Sequence, residues 1–148
     1  MIKAGGPVSG RLLKDMNMAT NFDLARSWAA REKDFPLMAE YTCRGFVKEP
    51  SCDDLLELRL LLDSNMTIVK AGFSITESAC PPVRAAAAYV CSLCENLPLI
   101  AAYTIRTEKL IPALSDDGSV NEEHKHCLMM AELALKNAIL DGLQQRKA

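Results

Sequence analysis

The sequence predicts an α+β domain: a small antiparallel sheet of about three strands with helices packed on it. Two observations carry this. "LLELRLLL" (55–62) and "MTIVKAGFSIT" (66–76) alternate apolar and polar residues around the polar turn "DSN", the pattern of a half-buried hairpin. Segments on either side repeat their apolar residues at helical spacing. A two-stranded hairpin is marginal alone, so another strand is expected, with residues 40–49 as its source.

The elements follow in order. Residues 1–20 have no clear periodicity and read as a flexible N-terminal extension, leaving 21–148 as a single domain. "NFDLARSWAAREKDF" is expected to be helical, with Asn21 as cap, a stripe of Phe22, Ala25, Trp28 and Ala29, and Pro36 as its stop. "TCRGFVKEPSCDD" carries loop punctuation at Gly45, Pro50 and the Asp pair. In the hairpin, Leu56, Leu58, Leu60 and Leu62 face one side, and Val69, Ala71, Phe73 and Ile75 should share a face. "CPPVRAAAAYVCSLCENL" opens with prolines that suit a first helical turn and continues with Val83, Ala87, Val90 and Cys94 as a stripe. A shorter helix is expected over about 98–111, ending before Pro112. The last helix should begin near Ser119 to Asn121, with Ser119 and Glu122 spaced as a capping box. Leu128, Ala131, Leu135, Ala138 and Ile139 form its buried stripe, and Glu132 pairs with Lys136 outside.

Composition narrows the function. The net charge of −2, with both signs mixed, gives no electrostatic case for nucleic acid or an anionic membrane. Aromatic residues are too few for base-stacking platforms. No run approaches the ~20 apolar residues of a membrane helix. The start, "MIKAGGPVSG", lacks an apolar signal core, so a cytoplasmic protein is expected. In that compartment the six cysteines read as core residues, metal ligands or reactive thiols before disulfides.

Hairpin geometry brings two of these cysteines together. Cys52 precedes the first strand and Cys80 follows the second, so both belong at the same open end. Cys80 also stands just before a helix, whose N-terminal partial charge favours thiolate. Both histidines of the chain lie in "NEEHKHCLMM" (121–130), next to Cys127 in the early turns of the last helix. If that helix start meets the hairpin end, three thiols converge with His126 and Asp54 beside them. Sulfur ligands with an imidazole suit zinc or an iron–sulfur cluster.

"GFVKEPSCDD", then "FSITESAC" opening an Ala-rich helix, then "HKHC" opening "LMMAELALKNAI", resembles the NifU/IscU-type iron–sulfur cluster assembly scaffold family over roughly residues 40–145. The resemblance implies that family's N-terminal-domain fold, with Cys52, Asp54, Cys80, His126 and Cys127 as site residues. It implies a non-enzymatic scaffold that binds iron, receives sulfur from a cysteine desulfurase, builds a [2Fe-2S] cluster and passes it to recipient or carrier proteins. Zinc at the same residues, in a persulfide acceptor for a desulfurase, is the alternative occupant. A homo-oligomer stays open.

The chain departs from the family pattern in four places. Asp53 stands where a glycine is usual. "ACPPVRAAAA" replaces a glycine- and serine-rich stretch. The segment from Phe73 to Cys80 is about two residues longer. The Leu-Pro-Pro-Val-Lys chaperone segment gives way to "DDGSVNEEHK", so the specialised chaperone is not an expected partner.

Each residue also has a plainer reading. Cysteine is among the most buried residue types, and Cys43, Cys91 and Cys94 are expected in the core. "CSLC" has redox-pair spacing, which keeps a thiol oxidoreductase using Cys91 and Cys94 as a further alternative, but it lies at the wrong end of its helix for a stabilised thiolate. His124 is read as a surface residue, and Met129 and Met130 as packing residues.

Overall fold

A computed structural model describes residues 23–49, 54–115 and 117–147. The expected N-terminal extension, Asn21 and Phe22 at the start of the first helix, and Cys52 with Asp53 lie outside the described residues.

Helix α1 (residues 23–29) runs into a 3-10 turn over Ala30–Asp34, and Phe35 and Pro36 end it. Ala25 is buried, and Trp28 meets Tyr89 edge-to-face with ring centroids 4.7 Å apart. Three antiparallel strands follow in the spatial order β1 (Cys43–Lys48), β2 (Leu55–Leu62), β3 (Ile68–Ile75). The expected third strand is thus β1, formed from the stretch that carries loop punctuation. Its Gly45 faces α4 (Glu122–Lys147), where a Cβ would run into the backbone of Ala134 and Ala138. Glycine there lets the helix lie directly on the strand.

Pairing registers stack the inner face in rows: Cys43, Leu60 and Ala71; Gly45, Leu58 and Phe73; Val47, Leu56 and Ile75. Leu56, Leu58 and Leu60 are fully buried. Helices α2 (Pro81–Cys94) and α4 cover this face through the stripes their spacing predicts: Val83, Ala87, Val90 and Cys94 on α2, and Leu128, Ala131, Leu135, Ala138 and Ile139 on α4, all buried. The outer face carries Arg44, Glu57 and Arg59. The chain approaches it at Pro36, whose carbonyl a Cβ on Gly72 would strike, and at Met38, whose carbonyl accepts from Arg59 Nη1 at 2.7 Å.

Both sheet edges are closed by hydrogen bonds. On β1, Arg44 N–H donates to Asp141 and the Phe46 carbonyl accepts from Asn137, both at 2.9 Å and both from α4. On β3, Ala71 N–H donates to Glu95 at 3.2 Å and Phe73 N–H to the Phe35 carbonyl at 3.0 Å. Closed edges remove the template for pairing with another chain.

Four local expectations need correction. Val69 is exposed and Ile68 buried, because Leu61 pairs with Lys70 while Leu62 pairs with Ile68. The extra residue is a β-bulge that turns Val69 outward. Helix α2 stops at Cys94 rather than Leu97: Asn96 adopts φ 73, and the chain then bonds to Ile68 on the β3 edge. The helix expected over 98–111 is two pieces, α3 (Leu99–Ala102) and a 3-10 turn over Thr107–Ala113 that contains Pro112. Thr107 donates both its N–H and its hydroxyl to Glu132, so α4 anchors the chain where the helix breaks. Ser119 does not cap α4: its N–H and hydroxyl both go to Asp117 at 2.9 Å, while the carbonyl of Asn121 accepts the first helical N–H groups. The Glu132–Lys136 pair forms as expected, at 2.6 Å, but is half-buried.

Candidate metal centre

One end of the sheet carries Asp54 and Cys80, and the start of α4 brings Cys127 to it. The β1–β2 loop, the end of β3, the start of α2 and the first turns of α4 all contribute. Strand ends are held by Leu55 N–H donating to the Thr76 hydroxyl at 2.8 Å and by Thr76 N–H donating to the Leu55 carbonyl at 3.2 Å. The Asp54 carbonyl accepts from Glu49 N–H at 2.9 Å and closes the base of the loop that bears Cys52. Asp54 itself is buried, an unusual setting for a carboxylate at a strand start.

Cys80 is the N-cap residue of α2, exposed, with Pro81 opening the first turn. Cys127 is buried in the early turns of α4. Their sulfurs are 3.9 Å apart, within sulfur hydrogen-bond range, although the residues are 47 positions apart in the chain. The hydrogen bond from Cys127 lowers the Cys80 thiol to about 6, and the backbone N–H of Val83 at the helix start favours the thiolate further, while burial and the charge of Asp54 oppose it. The arrangement keeps one thiolate available near neutral pH, the form that ligates metal or attacks sulfur.

The other predicted residues fall differently. His126 is exposed, and His124 is half-buried. Among the described residues, no three His, Cys, Asp or Glu side chains converge closely enough to hold a metal ion. The structure therefore brings together Cys80 and Cys127, and among the described residues does not bring Asp54 or His126 close enough to complete a three-ligand site. Met130 is buried but Met129 is exposed, so only one of the pair is a core residue. Cys43, Cys91 and Cys94 are fully buried, as expected. Burial pushes Cys43 and Cys94 up to about 12 and Cys91 well above its ordinary value. A redox pair at Cys91 and Cys94 would have no accessible thiolate, which argues against an oxidoreductase.

Sequence reasoning missed Arg84. Its guanidinium donates to the carbonyls of Ala79 (3.1 Å), Thr76 (2.9 Å) and Glu77 (2.5 Å), and to the Glu32 carboxylate at 2.7 Å. The available signal was a cation in the first turns of a helix, where the dipole disfavours positive charge.

Fold and site define a class: a small α+β domain with two cysteine sulfurs paired at the end of its sheet. The family model described as NifU-like N terminal domain matches residues 31–148, and the chain belongs to that family. The resemblance carried by the cysteine motifs is therefore correct. Over 103 residues, 70% of this chain, it is 31% identical to a Yarrowia lipolytica protein named iron sulfur cluster assembly protein 1, mitochondrial. Over 104 residues it is 28% identical to the protein of the same name in Eremothecium gossypii. The matches span 54% and 64% of those relatives' lengths, so the chain covers less than two thirds of either. In fold it is similar to a solved structure from Fervidobacterium islandicum AW-1, assigned as an iron–sulfur cluster assembly scaffold protein for the SUF system. That match has a TM-score of 0.65 and 15% identity, covering 79% of this chain and 94% of that one. A second solved structure, titled only as a hypothetical protein, matches with a TM-score of 0.56 at 16% identity, covering 80% and 98%.

Proposed function

We propose that this chain is a non-enzymatic scaffold that receives iron and sulfur, assembles a [2Fe-2S] cluster and hands it on. The observation that supports it most is the 3.9 Å approach of Cys80 to Cys127 from two different helices, at the sheet end where the Cys52 loop starts and finishes. In this reading Cys52, Cys80 and Cys127 supply thiolates, Asp54 assists, and His126 serves as ligand or proton handler after a local rearrangement of the α4 start. The cluster is cargo. Mixed ligation by carboxylate, imidazole and thiolate near a surface releases it more readily than four buried thiolates.

A cysteine desulfurase is the proposed sulfur donor, and iron–sulfur carrier or recipient proteins take the product. The relatives' names are mitochondrial; for this chain we propose the cytoplasm, a reducing compartment in which cysteines serve as core residues or ligands rather than disulfides. No helix among the described residues is long and apolar enough to cross a membrane.

Persulfide transfer tests this reading. The protein is incubated with a desulfurase and cysteine, and sulfur adducts are located by peptide mass spectrometry. A transferred sulfur on Cys52, Cys80 or Cys127, absent without the desulfurase, is expected. Adducts at none of Cys52, Cys80 and Cys127, or at the buried Cys91 and Cys94 instead, contradict it. Metal analysis of the same preparation separates the two occupants: bound zinc that persists through sulfur transfer, with no iron uptake, favours the sulfur-acceptor alternative.

A further inference from the structure

The loop that delivers Cys80 has a dedicated fastener. Residues Thr76–Ala79 leave β3, make one turn closed by Ala79 N–H donating to the Thr76 carbonyl at 2.9 Å, and reach Cys80. Arg84, one helical turn further on, reaches back with three guanidinium hydrogen bonds to the carbonyls of Thr76, Glu77 and Ala79. Its fourth bond goes to Glu32 in the 3-10 turn after α1. Cys80 thus sits inside a ring formed by the loop, the first turn of α2 and the Arg84 side chain. The guanidinium is largely buried, with 18% of its side chain exposed, and a cation there works against the helix dipole. Three carbonyls and a carboxylate compensate it, and only a planar fork of fixed N–H donors can serve them together.

We infer that Arg84 is a positioning residue that holds the Cys80 sulfur beside Cys127 before any metal or sulfur arrives. The inference rests on the proposed site and names what sets its geometry. It also gives the segment between β3 and α2 a means of staying in place, since Arg84 fastens it from within α2. Through Glu32, the same guanidinium ties the segment after α1 to the cysteine loop.

Dibromobimane, a bifunctional thiol reagent, reads the relation of the two sulfurs without any metal. Bridging of Cys80 to Cys127 is quantified by peptide mass spectrometry in wild type, Arg84→Gln and Arg84→Lys, each checked for folding by circular dichroism. The expected result is a bridging yield at least about fivefold lower in Arg84→Gln and intermediate in Arg84→Lys, since an ammonium cannot serve three carbonyls at once. A merely structural arginine would lower the melting temperature but leave bridging in the folded protein unchanged, and that result overturns the inference. If Arg84→Gln does not fold, Arg84→Lys decides: wild-type bridging there is equally contradictory. Cobalt(II), added as a probe, separates this from the site reading. Failure of cobalt to give thiolate charge-transfer absorption in wild type counts against the metal centre, while the bridging yields still decide the role of Arg84.

Discussion

Cys80 and Cys127 show how one contact can set the chemistry of a site. A thiol ordinarily titrates near 9, and the hydrogen bond from Cys127 brings Cys80 to about 6. Cys80 should therefore react with iodoacetamide at a rate that rises through pH about 6, and Cys127→Ala should move that midpoint upward. Rates from pH 5 to 10, read at the Cys80 peptide, check this; a midpoint near 9 in the wild type would contradict it. A lowered pKa means the folded state binds fewer protons than the unfolded state between about 6 and 9, so the Cys80 contribution favours folding as pH rises through that window. Cys43, raised to about 12 by burial, acts in the opposite sense: its contribution falls as pH climbs above 9, where the unfolded thiol ionises first. The sequence placed Cys80 at the open end of the hairpin, and it made the approach of Cys127 conditional on the start of the last helix reaching that end, which is where the structure brings it. The role of Arg84 was not, since it depends on where four acceptors end up around one side chain.

Between elements, the close fit of α4 on β1 carries much of the architecture. Gly45→Ala places a methyl group against the α4 backbone at Ala134 and Ala138, which cannot yield as a side chain would. A loss of about 3 kcal/mol is expected, at the upper end of overpacking costs. Urea unfolding of the variant checks it, and a change under ~0.5 kcal/mol, ordinary for surface substitutions, would show that the helix does not sit so close. Asp141→Ala removes the carboxylate that caps Arg44 N–H on the strand edge. It should cost about 1 kcal/mol and raise the tendency to associate through β1, visible by light scattering. Element types came readily from sequence where one period held throughout, as with Leu56, Leu58 and Leu60. The period failed at Val69, where a bulge inserts one residue, and around Thr104–Thr107, where bonds to α4 replace those of a continuing helix. β1 was hard to distinguish from a loop because Gly45, a turn residue by local preference, is there for the sake of a helix far along the chain, at Ala134 and Ala138.

At the scale of the whole chain, folding brings remote segments to one end of the sheet, so metal binding and stability should be linked. Ligand at a hundred times its dissociation constant adds about 2.7 kcal/mol to a folded state that alone binds it. For a domain of this size that is a rise of roughly 5–10 °C in melting temperature. Zinc or cobalt should produce this shift in wild type and not in Cys127→Ser, as measured by thermal scans; equal shifts in both would place the metal elsewhere. Family membership and the α+β architecture were readable from five residues in order and a hairpin. The full ligand set was not, because it depends on the β1–β2 loop and on whether the start of α4 turns His126 toward the thiols.

The most direct measurement is anaerobic reconstitution with ferrous iron, cysteine, a cysteine desulfurase and a thiol reductant that reduces the delivered persulfide sulfur to sulfide, followed by iron and sulfide analysis and a visible spectrum. Wild type, Cys80→Ser and Cys127→Ser are compared side by side. Iron and sulfide in equal amounts with a charge-transfer spectrum in the wild type, lost in both variants, is the expected result. A wild type that takes up no iron, or variants that hold the cluster as well as it does, would contradict assembly at this thiol pair.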